Sequence, residues 1–203
     1  MTKQKSPVKN KKPFIISCGV MEKEIKQLLG RGKLDADVVF LNKYLHIDYE
    51  KLRQALKASL IKHQDKNPVV IYGDVCLGFN GEMKKLVEEC GATKVDALNC
   101  IDCMLGGSGR LLEIDPDHIF LFLTPAFIEW FEDMKCGTIE ETRKKFSMLR
   151  GIISVDSIGD LDTFKDRIDH ISEQTGLPVL EHKSTGLDGL KSVILKALEE
   201  PQL

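Results

Sequence analysis

No apolar run in this chain approaches the roughly 18–20 residues that a membrane-spanning helix needs, so none is expected. The first apolar stretch, Phe14 to Ile16, is too short for the hydrophobic region of a secretory signal. Charge of one sign is also missing. Lys and Arg number 29 and Asp and Glu 31, for a net charge of -2, and a nucleic-acid binder normally carries a clear basic excess. The one exception is local: Lys3, Lys5, Lys9, Lys11 and Lys12 make residues 1–12 a basic stretch that reads as a disordered, solvated arm. No internal repeat and no long linker appears after it. With 42% hydrophobic residues, 13–203 are enough to build one α/β domain with a real core.

The chain has six cysteines. Without a secretory signal they point to a reducing, cytoplasmic setting. Thiols there are more often metal ligands, catalytic groups or core filler than disulfides. Cys90 ends a helical pattern before Gly91, and Cys136 precedes Gly137 in a loop; neither position suggests a role.

Short apolar strands alternate with helical patterns through the whole chain. Strands are predicted at Phe14–Ser17, Val38–Leu41, Val69–Gly73, Lys94–Leu98, Ile119–Leu123, Gly151–Val155 and Pro178–Glu181, the last as an edge strand. Helix signals lie between them. Asp48 caps a helix carrying Leu52, Leu56 and Leu60, Pro125 opens another, and Gly176 closes a third. Such alternation predicts a single doubly wound, mostly parallel sheet with helices on both faces, of the Rossmann or flavodoxin kind.

In that architecture ligands bind in a crevice at the carboxyl ends of the strands. Four soft donors follow four different strands: Cys18, His46, Cys76 and Cys103. Deprotonated thiols and a neutral imidazole around one point are what a transition metal takes, so these four are candidate ligands. Cys100 of Cys100-x-x-Cys103 is an alternative fourth ligand to His46. A lone CxxC would be a weak signal; convergence from separate strands is the stronger one. Asp102 is expected to orient His46 from the second layer around the metal, and Glu24, on the helix after Cys18, to reach the same crevice. Asp74, just before Cys76, is a further candidate. Gly106-Gly107-Ser108-Gly109-Arg110 is neither a Walker loop nor GxGxxG. Its glycines and Arg110 are expected to receive an anionic end of substrate or cofactor.

These motifs, taken in order, resemble a known family. Cys18-Gly19-Val20-Met21 with Glu24, Leu45-His46, Tyr72-Gly73-x-x-Cys76, Asp102-Cys103, Leu105-Gly106-Gly107, Leu123-Thr124-Pro125 and Asp156-Ser157 to Asp160 are similar to the sequence blocks of domain-of-unknown-function family 1638, across roughly Phe14 to Leu198. One departure is Ile101, where the family often has a histidine before its Asp-Cys pair. The resemblance implies an anaerobic setting close to corrinoid-dependent methyl transfer, and hence a metal-dependent step in one-carbon metabolism. The chain lacks the Asp-x-His-x-x-Gly corrinoid motif, so a corrinoid would come on a partner protein or methyltransferase.

Three functions follow as expectations. The first is a zinc site that activates a small anionic or thiol acceptor for methyl transfer, since zinc holds a bound thiol as a nucleophilic thiolate. The second is a [4Fe–4S] protein for electron transfer or reductive cofactor activation, with Cys100 in place of His46. The third is a non-catalytic metal or cofactor chaperone.

Overall fold

A computed structural model describes residues 12–133 and 137–199; most of the basic arm and Cys136 fall outside them. Among the described residues no helix is long and apolar enough to cross a membrane. The first sheet contains β1 (Phe14–Cys18), β2 (Asp37–Leu41), β3 (Val69–Ile71) and β4 (Thr93–Lys94), in the order β2-β1-β3-β4. Every pairing in it is parallel. A second parallel sheet contains β5 (Phe120–Leu123), β6 (Gly151–Asp156) and β7 (Val179–Ser184), in chain order.

Position in the sheet explains the composition of β1, β6 and β7. Parallel strands covered on both faces are continuously apolar. The central β1 is buried throughout, and so is all of β6 but its last residue. Edge strands need less cover: β7 is largely exposed, as its Glu181, His182 and Lys183 require.

The helices are α1 (Glu22–Gly30), α2 (Tyr49–Lys62), α3 (Glu82–Glu89), α4 (Cys100–Leu105), α5 (Arg110–Ile114), α6 (Pro125–Asp133), α7 (Ile139–Phe146), α8 (Lys165–Thr175) and α9 (Asp188–Glu199). Their ends follow local chemistry. Asp48 Oδ1 accepts the N–H groups of Glu50 and Lys51 at the start of α2. Thr138 and Glu141 form a reciprocal capping box on α7. Gly176 ends α8 in the left-handed region, with φ 74°.

The α/β class, the parallel strands and the covering helices are those the alternation implies. The strands, however, divide between two sheets instead of forming one. Between β4 and β5 the chain makes two short helices, α4 and α5, interrupted by Gly106 to Gly109. A single crossover helix that would lay β5 beside β4 is not formed. Each sheet has its own buried cluster. The last helix, α9, follows the second sheet in sequence yet packs on α4 and β3 of the first. Gly107 and Gly189 allow that contact: a Cβ on Gly107 would lie 2.8 Å from Val193, and one on Gly189 2.7 Å from the Met104 carbonyl oxygen.

Candidate functional site

The register of the first sheet brings the donors to one edge. Cys18 pairs with Leu41 and Ser17 with Ile71, so β1, β2 and β3 end at the same level. The loops that follow carry His46 and Cys76. Beyond β3 the chain is pressed against the loop after β4. Asp74 N–H donates to the Ala97 carbonyl at 2.9 Å and Val75 N–H to that of Leu98 at 3.1 Å. Gly73 makes this possible, because a Cβ there would stand 2.2 Å from the Leu98 oxygen. The same contact sets Cys76 beside α4, where Asn99 caps the helix and its side chain accepts the Asp102 N–H at 2.9 Å. Cys100 and Cys103 lie one turn apart on that helix.

Cys18 and His46 form the closest pair, with Sγ and Nε2 2.9 Å apart. Cys18 Sγ also accepts the Val20 N–H at 3.4 Å, capping the 3-10 turn Gly19–Met21. Cys18, Cys76, Cys100 and Cys103 are all buried free thiols. Burial dominates their electrostatics. It pushes Cys18 up to about 12 and Cys76 up to about 11, and raises Cys100 and Cys103 as well. The sulfurs also act on one another: Cys100 is raised further by Cys18, Cys76 and Cys103, and Cys103 by Cys76 and Cys18. Burial lowers His46. Near neutral pH the group is therefore four thiols and a neutral imidazole. The donor chemistry is that of a soft-metal site. The coordination geometry is not formed, for among the described residues no three His, Cys, Asp or Glu side chains are arranged to hold one ion. Cys90 is a partly buried residue packed against the core at the end of α3 and is not among these sulfurs.

Other expected site residues have different duties. Asp102 is fully buried, but its carboxylate accepts the N–H groups of Leu98 (2.9 Å), Gly109 (3.1 Å) and Leu111 (2.8 Å). It is committed to the loops around α4 instead of to His46, whose ring nitrogen faces Cys18. The glycine-rich loop is not an anion cradle either. The N–H groups of Gly106, Gly107, Ser108, Gly109, Arg110 and Leu111 all donate within the loop and its neighbours, so none is left for a ligand. Ser108 Oγ donates to Asp96 at 2.8 Å, and Arg110 is exposed. Asp74 pairs with Lys94 at 2.8 Å.

Glu24 does not join the cysteines. It reaches the second sheet, where its Oε1 accepts from Ser157 Oγ at 2.8 Å while Oε2 is buried without a partner. Burial raises its pKa, Ser157 opposes this, and nearby Asp160 adds to it. The folded state thus binds the Glu24 proton more tightly than the unfolded chain. The resulting stability is present below the unfolded pKa and is lost as pH rises through the folded one. Glu24→Gln is expected to raise the melting temperature at about pH 8, where the buried charge is costly, and to change it little near pH 4. Calorimetry at the two pH values checks this; an equal effect at both would reject the assignment.

Several further residues at this edge were not expected as site residues. Tyr72 is buried beside Cys18 with its ring centroid 5.8 Å from that of His46, and its hydroxyl has no well-formed hydrogen bond. Lys94, largely buried, lies close enough to oppose the rise at Cys76 and Cys103. A groove of about 600 Å³ opens at the ends of β1 and β2, its walls including Gly19, Lys23, Lys26, Phe40, Lys43 and Glu129. Adjoining it is a cavity of about 150 Å³ lined by Val20, Lys43, His46, Ala126, Phe127 and Trp130. Since α6 packs on the turn after β1, this cavity lies between the carboxyl edges of the two sheets. Tyr72 and Trp130 look like core aromatics in sequence, and only tertiary contact distinguishes them.

The fold and this edge define an α/β protein with a buried thiol-and-imidazole cluster at the switch point between β1 and β3. The chain belongs to DUF1638, a family described as protein of unknown function, which it matches over residues 40–194 of its 203. The matched range contains His46, Cys76, Cys100 and Cys103 and begins after Cys18. No curated protein and no solved structure matches the chain.

Proposed function

We propose that this protein binds a soft metal ion, zinc, at the carboxyl edge of its first sheet and acts in thiol-dependent methyl transfer of one-carbon metabolism. The supporting observation is the convergence of Cys18, His46, Cys76, Cys100 and Cys103 from four separate loops onto one buried crevice. Cys18, Cys76 and Cys103 with His46 would hold the ion, and Cys100 is the alternative to His46. The side chains must close in to do so. When bound, the ion would lower the pKa of an acceptor thiol and hold it as a thiolate. The chain's own part is to exclude water from the crevice, to keep His46 neutral by burial, and to fix Cys18 against it. A corrinoid-carrying partner would supply the methyl group. The second reading, a [4Fe–4S] cluster, draws support from the electrostatic coupling of Cys100 to all three other sulfurs.

Anaerobic purification followed by metal analysis and a visible spectrum tests the proposal. About one zinc per chain in a colourless protein is expected. A brown protein containing iron and sulfide would favour the cluster, and protein that takes up neither would remove both readings.

A further inference from the structure

Ser17 of β1 pairs with Ile71 of β3, and continuing that register by one residue sets Cys18 beside Tyr72 where the two strands end. Laterally paired residues of parallel strands project to the same face. The Tyr72 ring accordingly lies 5.8 Å from that of His46, whose Nε2 is 2.9 Å from Cys18 Sγ. Tyr72 is 1% exposed, and its hydroxyl is buried with no hydrogen-bond partner. An unsatisfied buried hydroxyl costs free energy, and phenylalanine would fill the same space without that cost. The hydroxyl and the Cys18 sulfur are close enough to act on one another, and Cys76 acts on the hydroxyl less. As a neutral thiol, Cys18 is a weak acceptor, and it already takes the Val20 N–H at 3.4 Å. A sulfur bound to a metal has lost its proton and carries negative charge, so it accepts hydrogen bonds strongly.

We infer that Tyr72 is a positioning residue of the metal site, its hydroxyl donating a hydrogen bond to the Cys18 sulfur once that sulfur holds the ion. This deepens the function proposed above and rests on its metal site. With the Val20 N–H, the Tyr72 hydroxyl would fix the sulfur at the end of β1 from two directions and draw electron density from it. Groups that bind a metal are commonly oriented by such outer partners. Here that duty falls to Tyr72 and not to Asp102, whose carboxylate is used up by the loops around α4.

The experiment compares the parent with Tyr72→Phe, using cobalt(II) as a coloured stand-in for zinc and following the cobalt–thiolate charge-transfer band. Zinc affinity is read by competition against the bound cobalt, and melting temperature is measured on the metal-free proteins. Tyr72→Phe is expected to bind both ions roughly tenfold or more weakly than the parent. Its charge-transfer band should move to longer wavelength, because a sulfur relieved of a hydrogen bond gives up electron density more readily. Without metal, the same substitution should leave the melting temperature unchanged or raise it, since it deletes an unsatisfied buried hydroxyl. Weaker metal binding with unimpaired metal-free stability and a displaced band is a combination that lost packing does not produce. Parent affinity and an unmoved band in Tyr72→Phe would overturn the inference and leave the metal proposal standing. Weaker binding accompanied by a lower metal-free melting temperature and an unmoved band would overturn it as well. A parent protein that takes up neither cobalt nor zinc would remove the metal proposal, and the role of Tyr72 with it.

Discussion

Metal-free protein prepared under reducing conditions is expected to gain about 5–11 °C in melting temperature when zinc is present at about 100 times its dissociation constant. A ligand that binds only the folded state contributes about 2.7 kcal/mol at that ratio, and a chain of this size gains about 2–4 °C per kcal/mol. The gain should shrink as pH falls. The ion must displace protons from buried thiols whose pKa values are raised, among them Cys18 at about 12 and Cys76 at about 11. Cys18→Ser should abolish most of the shift, because it removes a thiol and the contact that fixes His46. His46→Ala should weaken affinity by at least the roughly 10–100-fold typical of losses outside the ligand set. Cys90→Ser should leave the shift intact, since Cys90 lies at the end of α3 and away from the other sulfurs. A Cys18→Ser protein stabilised as strongly as the parent would refute the assignment. Full affinity in His46→Ala, with Cys100 found as ligand, would move the site to the four-cysteine reading.

Asp102→Ala is expected to destabilise the protein by about 3–5 kcal/mol, a fall of about 6–20 °C in melting temperature. The side chain is 0% exposed, and its two oxygens satisfy three backbone N–H groups from the loops on either side of α4. Each bond to a charged group contributes about 1.5–3 kcal/mol, and alanine would leave buried donors without acceptors. Those loops fix the left-handed run from Gly106 to Gly109, including Ser108 at φ 58°. Asp102→Asn keeps one acceptor oxygen and should lose less. Metal affinity separates this role from the one its position between two cysteines suggests. A folded Asp102→Asn protein should bind zinc nearly as well as the parent. A fall of about 10–100-fold with little change in stability would instead restore Asp102 as a residue acting on a metal ligand.

Much of the architecture is local and was legible in the chain. The strands β1, β2, β3, β5 and β6 coincide with predicted apolar runs, as parallel strands covered by helices tend to; β7 is largely polar and exposed, and β4 is only Thr93–Lys94, so most of the run expected at Lys94–Leu98 lies in the loop after it. The helix ends marked by Asp48, Pro125 and Gly176 are set within one turn of their own backbone. The order of motifs was enough to show the family. That Cys18, His46 and Cys76 stand at one edge of the first sheet also follows from the sequence, once the strands are parallel and end at the same level.

The division into two sheets is not local. It depends on how α4 and α5 break at the glycines and on α9 returning to the first sheet, contacts between residues far apart in the chain. The duties of Asp102, Glu24 and the glycine-rich loop were likewise decided by tertiary structure. A carboxylate beside two cysteines and a run of glycines carry the same letters whether their hydrogen bonds point outward or are used up internally, as here. Lys43 and Trp130 come to line one cavity because α6, which follows β5, packs on the turn after β1. Sequence fixes which groups stand at strand ends and helix caps, where neighbours along the chain set the geometry. Which of them share a cavity depends on packing between elements, and no short stretch of sequence encodes that.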